Sequence, residues 1–112
     1  MGEWTSRNGI TIRDLVPAAL RREWVRSGHC PDRDLYTLFQ EHAAAHPDRS
    51  AVIDGDHVLD YAELDRQVRR IAAALTAAGL GTRDIVGIRM TNSWRMVVAE
   101  LAVAAIGAVA LP

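Results

Sequence analysis

Histidine and cysteine are the side chains of this sequence best suited to hold a transition metal, and they fall into two small groups. His29 and Cys30 are adjacent, whereas His42 and His46 are four residues apart and share one face of a predicted helix. Structural zinc sites need four ligands with paired spacings, and neither group has a second cluster to complete it. We therefore interpret the first pair as a loop histidine with an incidental thiol. The second pair is interpreted as a solvated face near a helix carboxyl end, where imidazolium is favourable.

Charged side chains offer two further candidates for chemistry. Asp60 and Glu63 could form a general acid and base pair, but their spacing also fits a capping box, in which both side chains satisfy backbone N–H groups. Arg66, Arg69 and Arg70 could bind an acidic partner, although such residues also form the wet face of an amphipathic helix. We favour the structural interpretation of both groups.

Two remaining positions have a functional and a structural interpretation. Trp94 could stack on a ligand, but it begins a strongly apolar helix, so core packing is the better explanation. His57 follows Asp56 at the tip of a predicted hairpin, where polar residues are expected. The sequence therefore assigns no catalytic, cofactor-binding or metal-binding residue to this chain.

The composition is that of an ordinary globular chain. The chain has 112 residues, 49% hydrophobic and 24% charged, with a formal net charge of -1, which is enough for one small domain. The balanced charge predicts no nucleic-acid partner and no membrane anchor. The apolar stretch Met96–Pro112 is interrupted by Glu100 and Gly107 and is too short to span a membrane. A single cysteine and the lack of a signal-peptide pattern predict a cytoplasmic location.

The elements that would position these residues are short strands and helices. Residues 1–16 have weak periodicity and are predicted to form an N-terminal arm. Apolar periodicity predicts helices at Pro17–Arg26, Leu35–Ala45, Tyr61–Ala78 and Ser93–Ile106. Runs rich in apolar and β-branched residues predict strands at Ala51–Ile53, Val58–Leu59, Ile85–Ile88 and Ala108–Leu111.

Turn and capping residues connect these elements. Asp54-Gly55 predicts a hairpin turn, and Asp32 or Asp34, then Asp60, then Thr91–Ser93 are expected to cap the second, third and fourth helices. The final strand, helix and strand predict a parallel βαβ unit. Because the fourth helix is apolar nearly all round and the last strand stops at Pro112, we expect residues 17–112 to be the start of a larger domain, truncated at its carboxyl end.

Several motifs occur in an order that resembles the opening of the adenylate-forming (AMP-binding) superfamily, which includes acyl-CoA synthetases, aryl-acid adenylating enzymes and nonribosomal peptide synthetase adenylation domains. The first two motifs are Leu35–Phe39 with His46-Pro47-Asp48, which resembles the family's first helix and its end, and Ala51–Gly55, which resembles its first hairpin. Two further stretches resemble written family patterns: Leu59–Leu64 resembles L-T-Y-x-E-L, and Gly79–Val86 resembles G-x-x-x-G-D-x-V. Finally, Asn92-Ser93 resembles P-N-S, and Ala105–Pro112 resembles A-G-A-x-x-x-P. The stretch Pro17–Gly28 looks most like the aryl-acid and coenzyme-A ligase branches. Asp60 replaces the usual threonine and can still cap a helix. Arg83 replaces the glycine before Asp84, which would strain a turn that needs positive φ.

The resemblance implies an α/β fold with a β-hairpin, amphipathic helices and a βαβ unit, forming the N-terminal part of a larger subdomain. In the family, ATP and Mg²⁺ activate a carboxylic acid as an acyl-adenylate, and a CoA or carrier-protein thiol usually takes the acyl group. The family's phosphate loop and catalytic lysine have no counterpart here, since the sequence contains no lysine. We expect this segment to be a scaffold that binds no cofactor, whose partner is the remainder of the domain. The isolated chain is expected to be inactive.

Two other interpretations remain open. The chain could be a non-enzymatic interaction protein that pairs with a separate downstream half. It could also be a Rossmann-like nucleotide-binding domain, but Thr91-Asn92-Ser93 follows the predicted strand where that fold needs a glycine-rich turn. The acyl substrate, the thiol acceptor and the oligomeric state are not predicted.

Overall fold

The computed structural model describes residues 2–112, and the chain divides into two units, the first ending at Arg33 and the second beginning at Asp34. The elements in chain order are β1 Glu3–Thr5, β2 Thr11–Arg13, α1 Ala18–Arg26, α2 Leu35–Ala45, β3 Ser50–Asp54, β4 His57–Asp60, α3 Tyr61–Ala77, β5 Ile85–Gly87, α4 Trp94–Ala105 and β6 Val109–Leu111. Within the described range, none of the helices has the length and apolar character that crossing a bilayer requires.

The first unit contains an antiparallel hairpin followed by α1. Strands β1 and β2 pair with Trp4 opposite Ile12, and Ser6 is buried at the turn, where its Oγ accepts from Ile10 N at 2.8 Å. The sequence predicted only an arm here, because three-residue strands give too little alternation to recognise. Met1, also part of that predicted arm, lies outside the described residues. Helix α1 begins one residue later than predicted, after Pro17.

Helix α2 and the β3–β4 hairpin open the second unit. The bounds of α2 are those predicted, and Asp34 is the cap, since its Oδ1 accepts from Thr37 N at 2.8 Å. In the hairpin, Asp54 pairs with His57, so the central turn residues are Gly55 and Asp56. Only Gly55 of these two has positive φ, at 58°, as a type II′ turn requires.

Helix α3 is closed at both ends by local hydrogen bonds. Asp60 accepts from Glu63 N at 2.8 Å at the start. At the end, Gly79 has φ of 90°, its N–H donates to Thr76 O at 2.9 Å, and Leu80 N donates to Leu75 O at 3.1 Å. This pair of bonds is the Schellman motif, in which glycine accepts the left-handed conformation at no steric cost. The predicted glycine stop is confirmed.

The core of the second unit lies between α2, α3, α4 and the hairpin. Its buried residues are Phe39, Ala43, Leu59, Leu64, Val68, Val98, Leu101 and Ala102. Val68 on α3 and Ala102 on α4 are both 0% exposed. The contact between these two helices therefore excludes water completely at its centre.

Strands β5 and β6 form a two-stranded parallel sheet connected through α4. Ile85 lies opposite Val109, and Gly87 lies opposite Leu111. This arrangement confirms the predicted βαβ unit and the α/β fold class.

Candidate functional site

An apolar groove lies between α3, α4 and β5 in the second unit. We call it the α3–β5 groove, and its volume is about 200 Å³. Its lining is mostly apolar but includes one charged side chain, and consists of Ile71, Leu75, Val86, Gly87, Ile88, Arg89, Met90, Ala99 and Val103. Ile71 is 40% exposed and Met90 is 43% exposed. These are high values for large apolar side chains that face other apolar side chains across a groove.

The groove arises from the helical period of α3. Leu64 and Val68 lie on the α3 stripe that packs on α4, and Ile71 and Leu75 continue this stripe by one further turn each. The first two are 2% and 0% exposed. Since Ile71 lies on the same apolar stripe but is 40% exposed, the stripe extends beyond the elements that cover it in the described chain.

A wider apolar pocket of about 420 Å³ lies at the start of α4. Trp94, Val98 and Gln67 line it, and the Arg95 guanidinium lies 4.6 Å from the Trp94 ring centroid. The His57 ring centroid is 5.9 Å from that of Trp94. Trp94 is half-buried and packs against the core, as predicted, but it also contacts the hairpin through His57. This contact was not predicted.

The first turn of α4 is capped across the fold. Ser93 occupies the cap position, but its side chain makes no capping hydrogen bond. Instead, Trp94 N donates to Asp54 Oδ2 at 2.9 Å. Ser93 takes the predicted cap position, but the prediction that a side chain of Thr91–Ser93 would accept the capping hydrogen bond is wrong. The Asp54 carboxylate of the hairpin caps the helix instead, because the β3–β4 turn lies at the amino end of α4, where the helix dipole favours a negative charge.

Asp60 and Glu63 form half of a capping box. Asp60 accepts from Glu63 N, as predicted. The Glu63 carboxylate, however, accepts from Arg66 Nε at 2.9 Å and from Gln67 Nε2 at 3.0 Å. The hydrogen bonds from Gln67 and Arg66 hold the pKa of Glu63 below its usual value. A carboxyl that stays ionised in this way is a poor general acid.

The arginine face of α3 is engaged in local pairs. Arg69 Nε donates to Asp65 Oδ2 at 2.9 Å, and Tyr36 O–H donates to Asp65 Oδ1 at 3.2 Å, which connects α2 to α3. Burial, with the adjacent Asp65 carboxylate, raises the pKa of Tyr36. Arg66 and Arg69 are exposed, which agrees with the predicted solvated face.

The histidines take up separate structural positions. His29 Nδ1 lies 2.8 Å from Ser27 Oγ, and Cys30 is a half-buried free thiol. The His42 ring centroid is 6.4 Å from that of Tyr61, and His46 follows the last turn of α2. In the described part of the chain, no group of three or more His, Cys, Asp or Glu side chains could hold a metal ion. These residues therefore do not fit a magnesium site.

Arg83 adopts a left-handed backbone conformation, which favours glycine. Its φ is 77°, and every other positive φ among residues 2–112 belongs to a glycine. It lies in a turn in which Asp84 N donates to Gly81 O at 3.1 Å and Gly81 N donates to Asp84 Oδ2 at 2.8 Å. The third residue of such a turn needs positive φ, as in type II. Arg83 therefore bears the backbone strain of this turn.

These features define a class: an α/β segment whose helices bury a shared core beside a parallel βαβ unit. The family model for AMP-binding enzymes matches residues 39–112, and the chain belongs to this family. Pyochelin synthase PchD of Pseudomonas aeruginosa is 40% identical over 76 residues, covering 68% of this chain and 14% of that protein. The fatty-acid–CoA ligase FadD6 of Mycobacterium tuberculosis is 42% identical over 74 residues, covering 66% of this chain and 12% of that protein.

Solved structures agree with this assignment. The apo structure of Mycobacterium smegmatis MbtA superimposes with a TM-score of 0.78 at 34% identity, covering 85% of this chain and 18% of MbtA. The N-terminal subdomain of Klebsiella oxytoca NpsA superimposes with a TM-score of 0.70 at 34% identity, covering 71% of this chain and 21% of that subdomain chain. The chain thus corresponds to an N-terminal segment of adenylate-forming enzymes and spans less than a quarter of the length of these relatives.

Proposed function

We propose that this chain is the scaffold at the start of an adenylation domain that activates a carboxylic acid and transfers it to a CoA or carrier-protein thiol. The observation that carries the proposal is the AMP-binding match over residues 39–112. Within the complete enzyme, ATP would supply the adenylyl group that activates the acid, with pyrophosphate as the leaving group, and Mg²⁺ would offset the phosphate charge. No step of that chemistry is assigned to this chain's side chains. A cytoplasmic location remains a prediction.

The contribution of the chain is to hold the first parallel strands in place. The α3–α4 core supports the crossover between β5 and β6, and the Asp54 hydrogen bond fixes the start of α4. In α/β folds, ligands bind at the carboxyl ends of such strands. Misplacing these strands would therefore misplace the loops that follow them.

Aryl acids are the first substrate class to test. The NpsA N-terminal subdomain, which is 34% identical to this chain, has been solved in complex with 3-hydroxybenzoyl-AMSN. The MbtA superposition covers 85% of the chain. The second unit, Asp34–Pro112, provides only 79 of the 112 residues, so the superposition includes part of the region before Asp34. This supports a resemblance to adenylate-forming enzymes that begins before Asp34.

A segment exchange tests the proposal. In the NpsA N-terminal subdomain, the segment that matches this chain is replaced by residues 34–112, and binding of 3-hydroxybenzoyl-AMSN is measured by calorimetry. We expect the chimera to retain binding within about tenfold, roughly 1.4 kcal/mol. A folded chimera that has lost all binding would leave the resemblance as one of fold without function.

The isolated chain provides the matched control. Residues 1–112 alone should neither bind ATP tightly nor exchange labelled pyrophosphate into ATP, even with Mg²⁺ and a panel of aryl, fatty and amino acids. Carboxylate-dependent exchange by the isolated chain would reveal a catalytic site that the proposal excludes.

The non-enzymatic alternative is supported by the exposed apolar residues of the α3–β5 groove, which suit a protein partner as well as a domain remainder. The same chimera separates the two functions when the complete NpsA adenylation domain is used. Acid-dependent pyrophosphate exchange in that chimera supports the enzyme scaffold. A stable complex that never supports exchange supports the interaction protein.

A further inference from the structure

We propose that the β1–β2 turn is a site of covalent self-modification, in which Asn8 and Gly9 form a cyclic imide and Ser6 promotes the reaction. The co-reactant is water. The inference is independent of the proposed function, because it concerns the first unit and uses none of the adenylation chemistry. It rests on the Asn8-Gly9 pair, on the buried hydroxyl beside that pair and on the shortness of the two strands.

The reaction joins the Gly9 backbone nitrogen to the Asn8 side chain. The nitrogen attacks Cγ of Asn8, the Cγ–Nδ2 bond breaks, and Nδ2 leaves as ammonia with the proton that the Gly9 nitrogen gives up. Water then adds to one of the two carbonyl carbons of the imide and breaks the bond from that carbon to the ring nitrogen. Opening at Cγ gives aspartate, whereas opening at the backbone carbonyl gives isoaspartate.

The residue that follows the asparagine decides how easily its nitrogen can attack. Gly9 carries no side chain that could crowd this nitrogen, and both Asn8 and Gly9 are exposed, so that water reaches the imide. The other asparagine of the sequence, Asn92, is also exposed but is followed by Ser93, whose side chain hinders the attack. The chain therefore contains its own comparison for the reaction.

The Ser6 hydroxyl contacts the amide that is attacked. Ser6 Oγ donates to Asn8 Oδ1 at 2.5 Å and accepts from Ile10 N at 2.8 Å, and Ser6 is 1% exposed. The bond from Ile10 N holds the hydroxyl in place, and burial keeps water from competing for it. A fixed donor to an acyl oxygen stabilises the negative charge that develops there during the attack. Ser6 therefore acts as an oxyanion donor for this intramolecular reaction.

The turn must open locally before the Gly9 nitrogen can reach Cγ of Asn8. In the closed turn, Gly9 N donates to Ser6 O at 3.0 Å, so its N–H is engaged. Strands β1 and β2 have three residues each, and a two-stranded hairpin has little stability of its own. Such elements lie at the low end of the range of local opening free energies, so the nitrogen is released often.

The other hairpin turn contains a similar pair without these features. Asp54 precedes Gly55, but its Oδ2 accepts from Trp94 N at 2.9 Å, which holds the side chain against α4. A carboxylate is also a poorer acceptor for a nitrogen nucleophile than an amide. We therefore expect the modification at Asn8 and not at Asp54.

Both products change the β1–β2 turn. Each replaces a neutral amide with a carboxylate, which makes the formal net charge more negative than its present value of -1. Isoaspartate also lengthens the backbone within the turn. The longer backbone is incompatible with the bond from Gly9 N to Ser6 O and with the register that pairs Thr5 with Thr11. Modification therefore opens the hairpin that the unmodified sequence forms.

Mass spectrometry of the aged protein locates the modification. Residues 1–112 are incubated in the folded state at neutral pH and cleaved after glutamate, which releases Asn8 within Trp4–Glu23 and Asn92 within Leu64–Glu100. We expect the imide, followed by aspartate and isoaspartate, to form at Asn8 at least roughly tenfold faster than at Asn92. Equal rates at the two asparagines would overturn the proposal.

Substitution of Ser6 separates promotion of the reaction from closure of the turn. Ser6→Ala should slow the modification of Asn8 by roughly tenfold, less than the roughly hundredfold or greater loss that follows removal of an oxyanion donor in an enzyme, because the turn is open to water. If Ser6 only kept the turn closed, the same substitution would release Gly9 N and speed the reaction. A Ser6→Ala rate equal to or above that of the unsubstituted chain would therefore contradict the assigned role.

Thr11→Ala is the matched control for loosening of the hairpin. It removes the contact of 3.0 Å between Thr5 Oγ1 and Thr11 Oγ1 but leaves Ser6 and Asn8 intact, so the rate should stay the same or rise. In concentrated urea, where the turn is open in all three proteins, the three rates should be equal. A Thr11→Ala rate as low as that of Ser6→Ala, or a Ser6→Ala rate that remains low in urea, would show that the folded Ser6 contact is not the cause.

Discussion

The helix pair α3–α4 and the strand pair β5–β6 lie in the same unit but differ in how much of their surface is covered. Val68 and Ala102 at the helix contact are 0% exposed, whereas Leu111 on β6 is 61% exposed. Helices satisfy their backbone hydrogen bonds internally, so a short segment can complete a helix contact. Strands satisfy theirs through neighbours, and a two-stranded parallel sheet leaves both outer edges open. The helix pair thus contributes to the buried core, whereas the strand pair is more exposed.

The largest expected effect is a difference in stability loss between substitutions in the covered part of the α3 stripe and substitutions in its uncovered part. Leu64→Ala should lower the free energy of unfolding of the isolated chain by about 2–4 kcal/mol, because Leu64 is 2% exposed and its removal leaves a cavity. Ile71→Ala should cost under about 1 kcal/mol, because Ile71 already contacts water. Urea unfolding followed by circular dichroism measures both. Similar losses would mean that the groove is filled in solution by something other than water.

The second prediction compares two possible caps for α4. Asp54→Ala should cost about 1–2 kcal/mol, because it removes the acceptor for Trp94 N and the link between the hairpin and the helix. Ser93→Ala should cost less than about 0.5 kcal/mol, since its side chain makes no capping bond. The same urea experiment applies. A larger loss in Ser93→Ala would show that the helix is capped locally and that the Asp54 contact is dispensable.

The capping residues also show which features the sequence could predict. Asp34, Asp60 and Gly79 act within a few residues of their partners, so their roles follow from spacing alone. The Asp54 bond to Trp94 joins residues forty positions apart, and no local pattern indicates it. The β1–β2 hairpin was missed for a different reason, because its strands are too short for alternation to be visible.

The candidate site was less predictable than the fold. Several titratable residues that drew attention in the sequence are held in local pairs, such as Arg69 with Asp65. The groove consists of apolar residues that periodicity identifies only as core. Ile71 satisfies the same spacing rule as Val68, and its exposure depends on which elements lie beneath α3. Such a surface becomes visible only after the fold is known.

The third prediction concerns the local cap of α3. Asp60→Ala should cost about 1 kcal/mol, because Glu63 N loses its acceptor, whereas Asp60→Thr should cost much less because threonine also caps helices. Denaturant melts of the three proteins measure the difference. Equal losses in the two variants would rule out the capping role of Asp60. The Asp54 cap of α4 would then be the better supported of the two caps.

The smallest expected effect is a gain, at the turn that leads into β5. A non-glycine residue in the left-handed conformation costs about 1–2 kcal/mol, and Arg83 has φ of 77°. Arg83→Gly removes this strain, but glycine adds about 0.5–1 kcal/mol of unfolded-state entropy. The substitution also removes the Arg83 side chain and whatever packing it makes. We therefore expect a net gain of only about 0.5 kcal/mol.

Arg83→Ala separates the strain from the side chain. It removes the same side-chain interactions as Arg83→Gly but keeps the backbone strain, so it should be less stable than the glycine variant by about 1 kcal/mol. Urea midpoints of the two variants give this difference directly. If the glycine variant were instead less stable than the alanine variant, as its unfolded-state entropy alone dictates, the strain would be absent in solution, and the turn before β5 would have relaxed from the geometry that Asp84 now holds. In that case the orientation of β5, and with it the comparison between the covered helices and the open strand edge, would need revision.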